Sequence, residues 1–130
     1  MIDASAGVEM VADTTRGKAL RQLIPPSAAL AAPEHFAAEV AGVLRRWELT
    51  GVLAPLDAAE SLNRLIHWPL RRATLIPLLQ DAWSYRPNIT IADALYVVLA
   101  ERLHASLLTD DHKLANSPTF PPAVPCLTIP

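Results

Sequence analysis

A chain of 130 residues with 52% hydrophobic and 18% charged residues carries enough apolar material for a packed core, which excludes a disordered or fibrous protein. Its net charge of −2 excludes broad electrostatic wrapping of nucleic acid, though not a local basic rim around an acidic centre. A single cysteine, Cys126, excludes an internal disulfide and any thiol–zinc pattern.

Met1 and Ile2 form a very short first strand with Asp3 near its end, and the small residues Ala4, Ser5 and Ala6 let the chain turn beside that carboxylate. Val8, Met10 and Val11 suggest a short helix. A second helix over 15–24 points Leu20, Leu23 and Ile24 inward and Arg16, Lys18 and Arg21 outward, and Pro25-Pro26 stop it. Residues 28–32 read as a strand despite their alanines. Pro33 suits a first helical position, and the helix it opens runs to about Trp47 on a stripe of Phe36, Val40, Val43, Leu44 and Trp47. Glu39 falls on that stripe by spacing, so its carboxylate must be paired, protonated or bound to a cation, whereas Glu34 simply complements the helix dipole.

Gly51 ends this segment, and a helix over 57–67 follows with Leu62, Leu65 and Ile66 inward until Pro69 breaks it. Residues 71–74 form an edge strand, 77–85 a short helix, and Pro87-Asn88 a turn. Thr90 with Asp93 is a helix-start signal. Behind it Ile91, Ala94, Leu95, Val98 and Leu99 recur at helical spacing, and Val97 and Ala100 widen the stripe into a buried central helix. After His104 the pattern breaks. Leu107, Leu108 and Thr109 then read as a buried strand that delivers Asp110 and Asp111 at its carboxyl end, where ligand-binding groups gather in open α/β sheets. A tail rich in proline (Pro118, Pro121, Pro122, Pro125) leads to a last strand within 124–129, at a sheet edge. Strands alternating with helices give an α/β class with a mostly parallel sheet of about five short strands covered on both faces. The four histidines (His35, His67, His104, His112) lack zinc-ligand spacing and read as surface or loop residues. No signal-peptide pattern opens the chain, and the most apolar window holds Asp93, Glu101 and Arg102, so a cytoplasmic protein of one domain over 1–130 is expected.

Four acids stand out by placement: Asp3, Glu39, Asp93 and Asp111. Carboxylates without thiolate or imidazole partners suit Mg²⁺ or Mn²⁺ and hence phosphate-ester chemistry. Each also has a structural alternative. Asp93 would complete the cap of Thr90, Asp110 or Asp111 would cap a following short helix, Asp3 would shape a turn, and Glu39 would pair with Arg45 or Arg71.

The segments MIDASA, PEHFAAEVAGVLRR and NITIADALYVVLAERLHASLLTDDHKLA resemble the successive motifs of PIN-domain proteins, in particular the VapC-type toxins of toxin–antitoxin pairs. Asp3 matches the Asp ending the first strand, although only Met1 and Ile2 precede it where the family has several apolar residues. Glu39 matches the Glu of the P-x5-E-V helix, Asp93 that of the D-A-x-Y-V-x-L-A helix, and Asp111 the Asp of the L-L-T-x-D turn. The resemblance implies a three-layer α/β/α PIN-like domain and an Mg²⁺- or Mn²⁺-dependent endoribonuclease that cleaves by metal-activated water. It also implies a VapB-type antitoxin partner and a homodimer. Asp3, Glu39, Asp93 and Asp111 would be catalytic and metal-holding, and Ser5, Thr109 and Asp110 would support them. Arg45, Arg46, Arg71, Arg72 and Lys113 are candidates for RNA phosphates. The competing reading is a catalytically silent PIN-fold module that binds RNA or a protein.

Overall fold

The computed structural model describes residues 1–117, 121 and 124–130, so Pro118 and Pro122 of the proline-rich tail lie outside the described residues. In chain order the elements are α1 (Ala4–Val11), α2 (Thr15–Gln22), β1 (Ala31–Pro33), α3 (His35–Leu49), α4 (Pro55–Ile66) and β2 (Arg71–Ala73). They are followed by α5 (Ile76–Trp83), α6 (Ile91–Arg102), β3 (Leu107–Leu108), α7 (His112–Ala115) and β4 (Cys126–Leu127).

The strands are short, and every pairing among them is parallel. β1 pairs with β2 from Ala31 opposite Arg71 to Pro33 opposite Ala73, and β3 pairs with β4. Met1 and Ile2 join these two ladders. The Ile2 amide donates to Ala31 O at 3.1 Å on one side, while on the other Asp3 N donates to Leu108 O at 3.1 Å and Leu108 N to Met1 O at 2.9 Å. The spatial order is therefore β2, β1, Met1–Ile2, β3, β4. The chain leaves the middle strand toward β1 and β2, then crosses to β3 and β4. That reversal puts a topological switch point between Ile2 and β3, the place where open parallel sheets bind ligands outside their strand ends.

Burial explains why such short strands hold. Ile2 and Leu107 are fully buried, and every residue of α6 from Ala94 to Ala100 is in the core, as its all-round apolar pattern requires. Thr90 caps α6, its Oγ accepting the Asp93 amide at 3.1 Å. Thr14 caps α2 by accepting the Gly17 amide at 2.9 Å. The α1–α2 turn places Asp13 at φ 54° and brings the helices so close that a Cβ on Gly17 would stand 2.0 Å from Glu9 O.

Several expectations shift, among them Leu23, which was expected inward but lies exposed just beyond α2. Pro33 is the last residue of β1 rather than the first of a helix, and its neighbour β2 lies at the outer edge of the ladder. The strand expected over 28–32 is confined to Ala31–Pro33. In α4 the inward residues are Ala58, Ser61 and Leu65, while Leu62 and Ile66 are exposed. That helix therefore turns its most apolar stripe outward. His35 is not a loop residue: it begins α3 with its ring largely covered.

Candidate active site

Asp3 caps α1, and its two carboxylate oxygens have separate anchors. Oδ1 accepts Ser5 Oγ at 2.7 Å and the Ala6 amide at 3.1 Å, and Oδ2 accepts the Thr109 hydroxyl. The same two hydroxyls accept amides from the turn after β3: Asp110 N donates to Ser5 Oγ at 2.8 Å and Asp111 N to Thr109 Oγ at 3.0 Å. A hydroxyl both donates and accepts, so Ser5 and Thr109 knit the ends of the two central strands together. Asp3 is only 4% exposed, and burial pushes its pKa up to about 6. The hydrogen bonds from Thr109, Ser5 and Ala6 pull the other way, and the negative charge of Asp111 adds a smaller upward push.

Glu39 projects from α3 and is not held by an arginine. Tyr96 of α6 donates its hydroxyl to Glu39 Oε1 at 2.6 Å, and His35 Nε2 lies 3.3 Å from the same oxygen while also meeting Ala92 O at 3.0 Å. Both neighbours of that nitrogen are acceptors, so Nε2 carries the hydrogen. The His35 ring lies against Tyr96 with centroids 4.7 Å apart. Burial and the Glu39 carboxylate both push the Tyr96 phenol upward, so it stays a donor. The Glu39 side chain remains 37% exposed, so spacing put it on the inner stripe while the structure sets it at the margin of that stripe, open to a cavity.

Asp93 stands in the first turn of α6, and among the described residues its carboxylate has no hydrogen-bond or ion-pair partner. Asp111 caps α7 through Oδ1, which accepts the Lys113 amide at 2.9 Å and the Leu114 amide at 3.2 Å. Both capping bonds use one oxygen. Asp3, Glu39, Asp93 and Asp111 all line one cavity of about 440 Å³, with Ala4, Ser5, Gly42, Val43, Arg46 and Tyr96 completing its wall.

The other candidates are not gathered in this way. Asp110 turns to α2, where Arg16 Nε donates to Asp110 Oδ2 at 2.9 Å and a second guanidinium nitrogen bonds the other oxygen. Of the basic candidates, Arg46 lines the acidic cavity and Lys113 the groove beside it, while Arg45 is exposed on α3 and Arg71 and Arg72 are exposed on β2. Sequence reasoning missed Tyr96 and His35 as partners of Glu39. The signals were present: Tyr96 follows Asp93 by one helical turn, and His35 precedes Glu39 by one.

Among the described residues, no three Asp, Glu, His or Cys side chains stand close enough to hold one ion directly. The donor chemistry nevertheless fits a hard cation that retains water: four carboxylates line one cavity, one of them desolvated and so in need of positive charge.

The sequence matches the PIN domain family over residues 1–118. The chain belongs to the PIN-domain family. Relatives place it in the VapC group. Ribonuclease VapC3 of Mycobacterium tuberculosis (strain ATCC 25618 / H37Rv) is 40% identical over 118 residues, covering 90% of this chain and 85% of that protein. Ribonuclease VapC12 of the same strain is 34% identical over 117 residues, 90% of each chain. Ribonuclease VapC1 is 36% identical over 123 residues, 93% of this chain and 92% of the relative. Among the described residues of this PIN domain, no helix is long and apolar enough to cross a membrane.

Proposed function

We propose that this PIN domain, taken as a single unit over 1–130, is a divalent-metal-dependent endoribonuclease and the toxin of a toxin–antitoxin pair. The observation that carries this reading is the meeting of Asp3, Glu39, Asp93 and Asp111 on one cavity at the switch point of the sheet. Relatives that bear the name ribonuclease over nine-tenths of the chain support it. The four acids would hold Mg²⁺ or Mn²⁺ together, in good part through water molecules that the ion keeps. Such an ion, when bound, supplies charge neutralisation at the phosphodiester and lowers the pKa of attacking water.

The residues of the chain have distinct parts in this. Asp3, immobilised on both oxygens, is the rigid negative anchor. Glu39 is steadied by Tyr96 and His35 yet open to solvent, so it can orient a water or take up its proton. Among the described residues the Asp93 carboxylate has no hydrogen-bond or ion-pair partner, and Asp111 retains an oxygen unused by its capping bonds. Arg46, on the cavity wall, offers positive charge to a phosphate beside the cut. By the resemblance to the family the products carry 5′-phosphate and 3′-hydroxyl ends, which makes water rather than the ribose 2′-hydroxyl the nucleophile and O3′ the leaving group. The expected partners are RNA, a VapB-type antitoxin and a second copy of the chain.

The test is cleavage of a panel of purified RNAs by wild type and Asp93→Asn, in Mg²⁺, in Mn²⁺ and in EDTA, with circular dichroism confirming that both are folded. Cleavage that needs the ion and disappears in the variant is expected. Cleavage that persists in EDTA, or that Asp93→Asn leaves intact, would overturn the proposal. Silence on every RNA, without calorimetric Mn²⁺ binding, would transfer the chain to the binding-module reading.

A further inference from the structure

The acidic cavity has a neighbour. A groove of about 810 Å³ runs past the start of α6 and along α7, and it shares Asp93 and Asp111 with the cavity. Its wall carries Arg86, Asn88, Lys113 and Asn116. We infer that this groove holds the single-stranded RNA segment on one side of the cut, with the Arg86 guanidinium, seated on Trp83, clamping a phosphate. The inference rests on the ribonuclease reading and names where its substrate lies.

Arg86 is already arranged for this. Its Cζ lies 5.0 Å from the Trp83 ring centroid, and Nη1 donates to Trp83 O at 2.9 Å. Stacking and that one bond fix the planar group, and its remaining N–H donors are left for an anion. Three basic residues elsewhere are ion-paired, Arg16 with Asp110, Arg102 with Asp81 and Lys18 with Asp13, while Arg45, Arg71 and Arg72 do not line the groove. Among the described residues no carboxylate lies within ion-pair reach of Arg86 or Lys113. A chain with net charge −2 thus keeps two uncommitted cations on the groove that leads to its acids.

The chemistry of the occupant follows. The acids would repel a polyanion unless cations beside them hold its flanking phosphates, and Arg46 does this on the cavity side only. Asn88 adds a side-chain amide on the wall of the groove, and Asn116 keeps its amide oxygen while its Nδ2 donates to His112 O at 2.8 Å. Trp83, 59% exposed, offers an aromatic surface at the Arg86 end. Two uncommitted cations and two side-chain amides on one groove, with an aromatic residue under Arg86 beside it, suit the phosphates and bases of a single strand.

The experiment uses the full chain and fluorescently labelled single-stranded RNA of mixed sequence. Affinity is read by anisotropy in EDTA over a range of salt, and KM and kcat are read in Mn²⁺. Arg86→Gln and Lys113→Gln should each weaken binding about three- to tenfold and flatten the salt dependence by about one phosphate contact. KM should rise and kcat change little. Arg102→Gln, on the surface against Asp81, is the charge-matched control and should match wild type. Trp83→Phe should retain binding that Trp83→Ala loses. If wild type binds and cleaves RNA while Arg86→Gln and Lys113→Gln behave like the control, the groove assignment fails and the ribonuclease reading stands. If the two variants keep RNA affinity but lose a co-purifying protein, the groove belongs to that protein and the inference is overturned. If wild type neither binds nor cleaves any RNA, both fall.

Discussion

Replacing Asp3 by Asn should make the metal-free protein more stable above pH 6 and leave it little changed at pH 4. The reason is the cost of ionising a carboxyl that is 4% exposed. Its pKa rises from 3.8 to about 6 in the fold, about two units, each equivalent to roughly 1.36 kcal/mol. Between those values the native state binds more protons than the unfolded chain, so stability falls as pH rises through that window. The loss should reach about 3 kcal/mol once both states are ionised. Asn removes that charge and can keep the network. Its Oδ1 still accepts Ala6 N and Ser5 Oγ, and its Nδ2 can donate to Thr109 Oγ, whose hydrogen turns to Ser5 Oγ at 3.2 Å. Urea denaturation in EDTA from pH 4 to pH 8, followed by circular dichroism, gives the difference between the two proteins at each pH. A difference that grows by about 3 kcal/mol across the window is expected. A constant offset, or Asn losing ground as pH rises, would refute the account of Asp3 as a desolvated charge.

The same proton bears on metal binding: the Mn²⁺ affinity of wild type should fall about tenfold per pH unit below about pH 6, as calorimetry would record, and stay flat above it. Tyr96→Phe removes the donor to Glu39 and keeps the ring against His35. It should cost about 1 kcal/mol in denaturation and lower the cleavage rate more than RNA affinity, because Glu39 loses its orientation. Gly17→Ala drives a methyl group into the Glu9 carbonyl and should destabilise by about 3 kcal/mol, whereas Gly42→Ala, inside α3 with open space around its Cβ, should raise the melting temperature through a gain of up to about 1 kcal/mol.

Local rules mark the place of each acid, a strand end, a helix start or the margin of an apolar stripe, but every place also had a structural reading, and the resemblance to PIN-domain motifs is what joined the four into one candidate site. Asp111 satisfied two readings at once, since it caps α7 and also walls the cavity. Its neighbour Asp110 went the other way, to Arg16 far back in the chain, and no spacing rule reaches across such a separation. Strand limits were the weakest part. Segments of two or three residues have no periodicity to read, and Ala31–Ala32 form a strand only because Ile2 and β2 supply pairing on either side. Pro33 was misplaced for a related reason: a residue without an N–H suits a helix start and the end of a short strand equally well. The outward face of α4 shows the limit of amphipathicity, which identifies a stripe without saying what covers it. Tyr96 was obscured by its own burial, since an aromatic residue in an apolar helix reads as core until its hydroxyl is seen to touch Glu39.

The first three residues tie this architecture to its chemistry. Met1, Ile2 and Asp3 are the only bonded link between the β1–β2 ladder and the β3–β4 ladder among the described strands. Glu39 follows β1, the inner strand of one ladder, Asp111 follows β3, the inner strand of the other, and Asp3 ends the link itself. A fluctuation that peels this short segment away would divide the cavity into two half-sites without melting a single helix. Amide exchange at Ile2, Asp3 and Leu108 should therefore run in step, and its rate would measure how often the enzyme is dismantled at its keystone while the rest of the molecule stays folded.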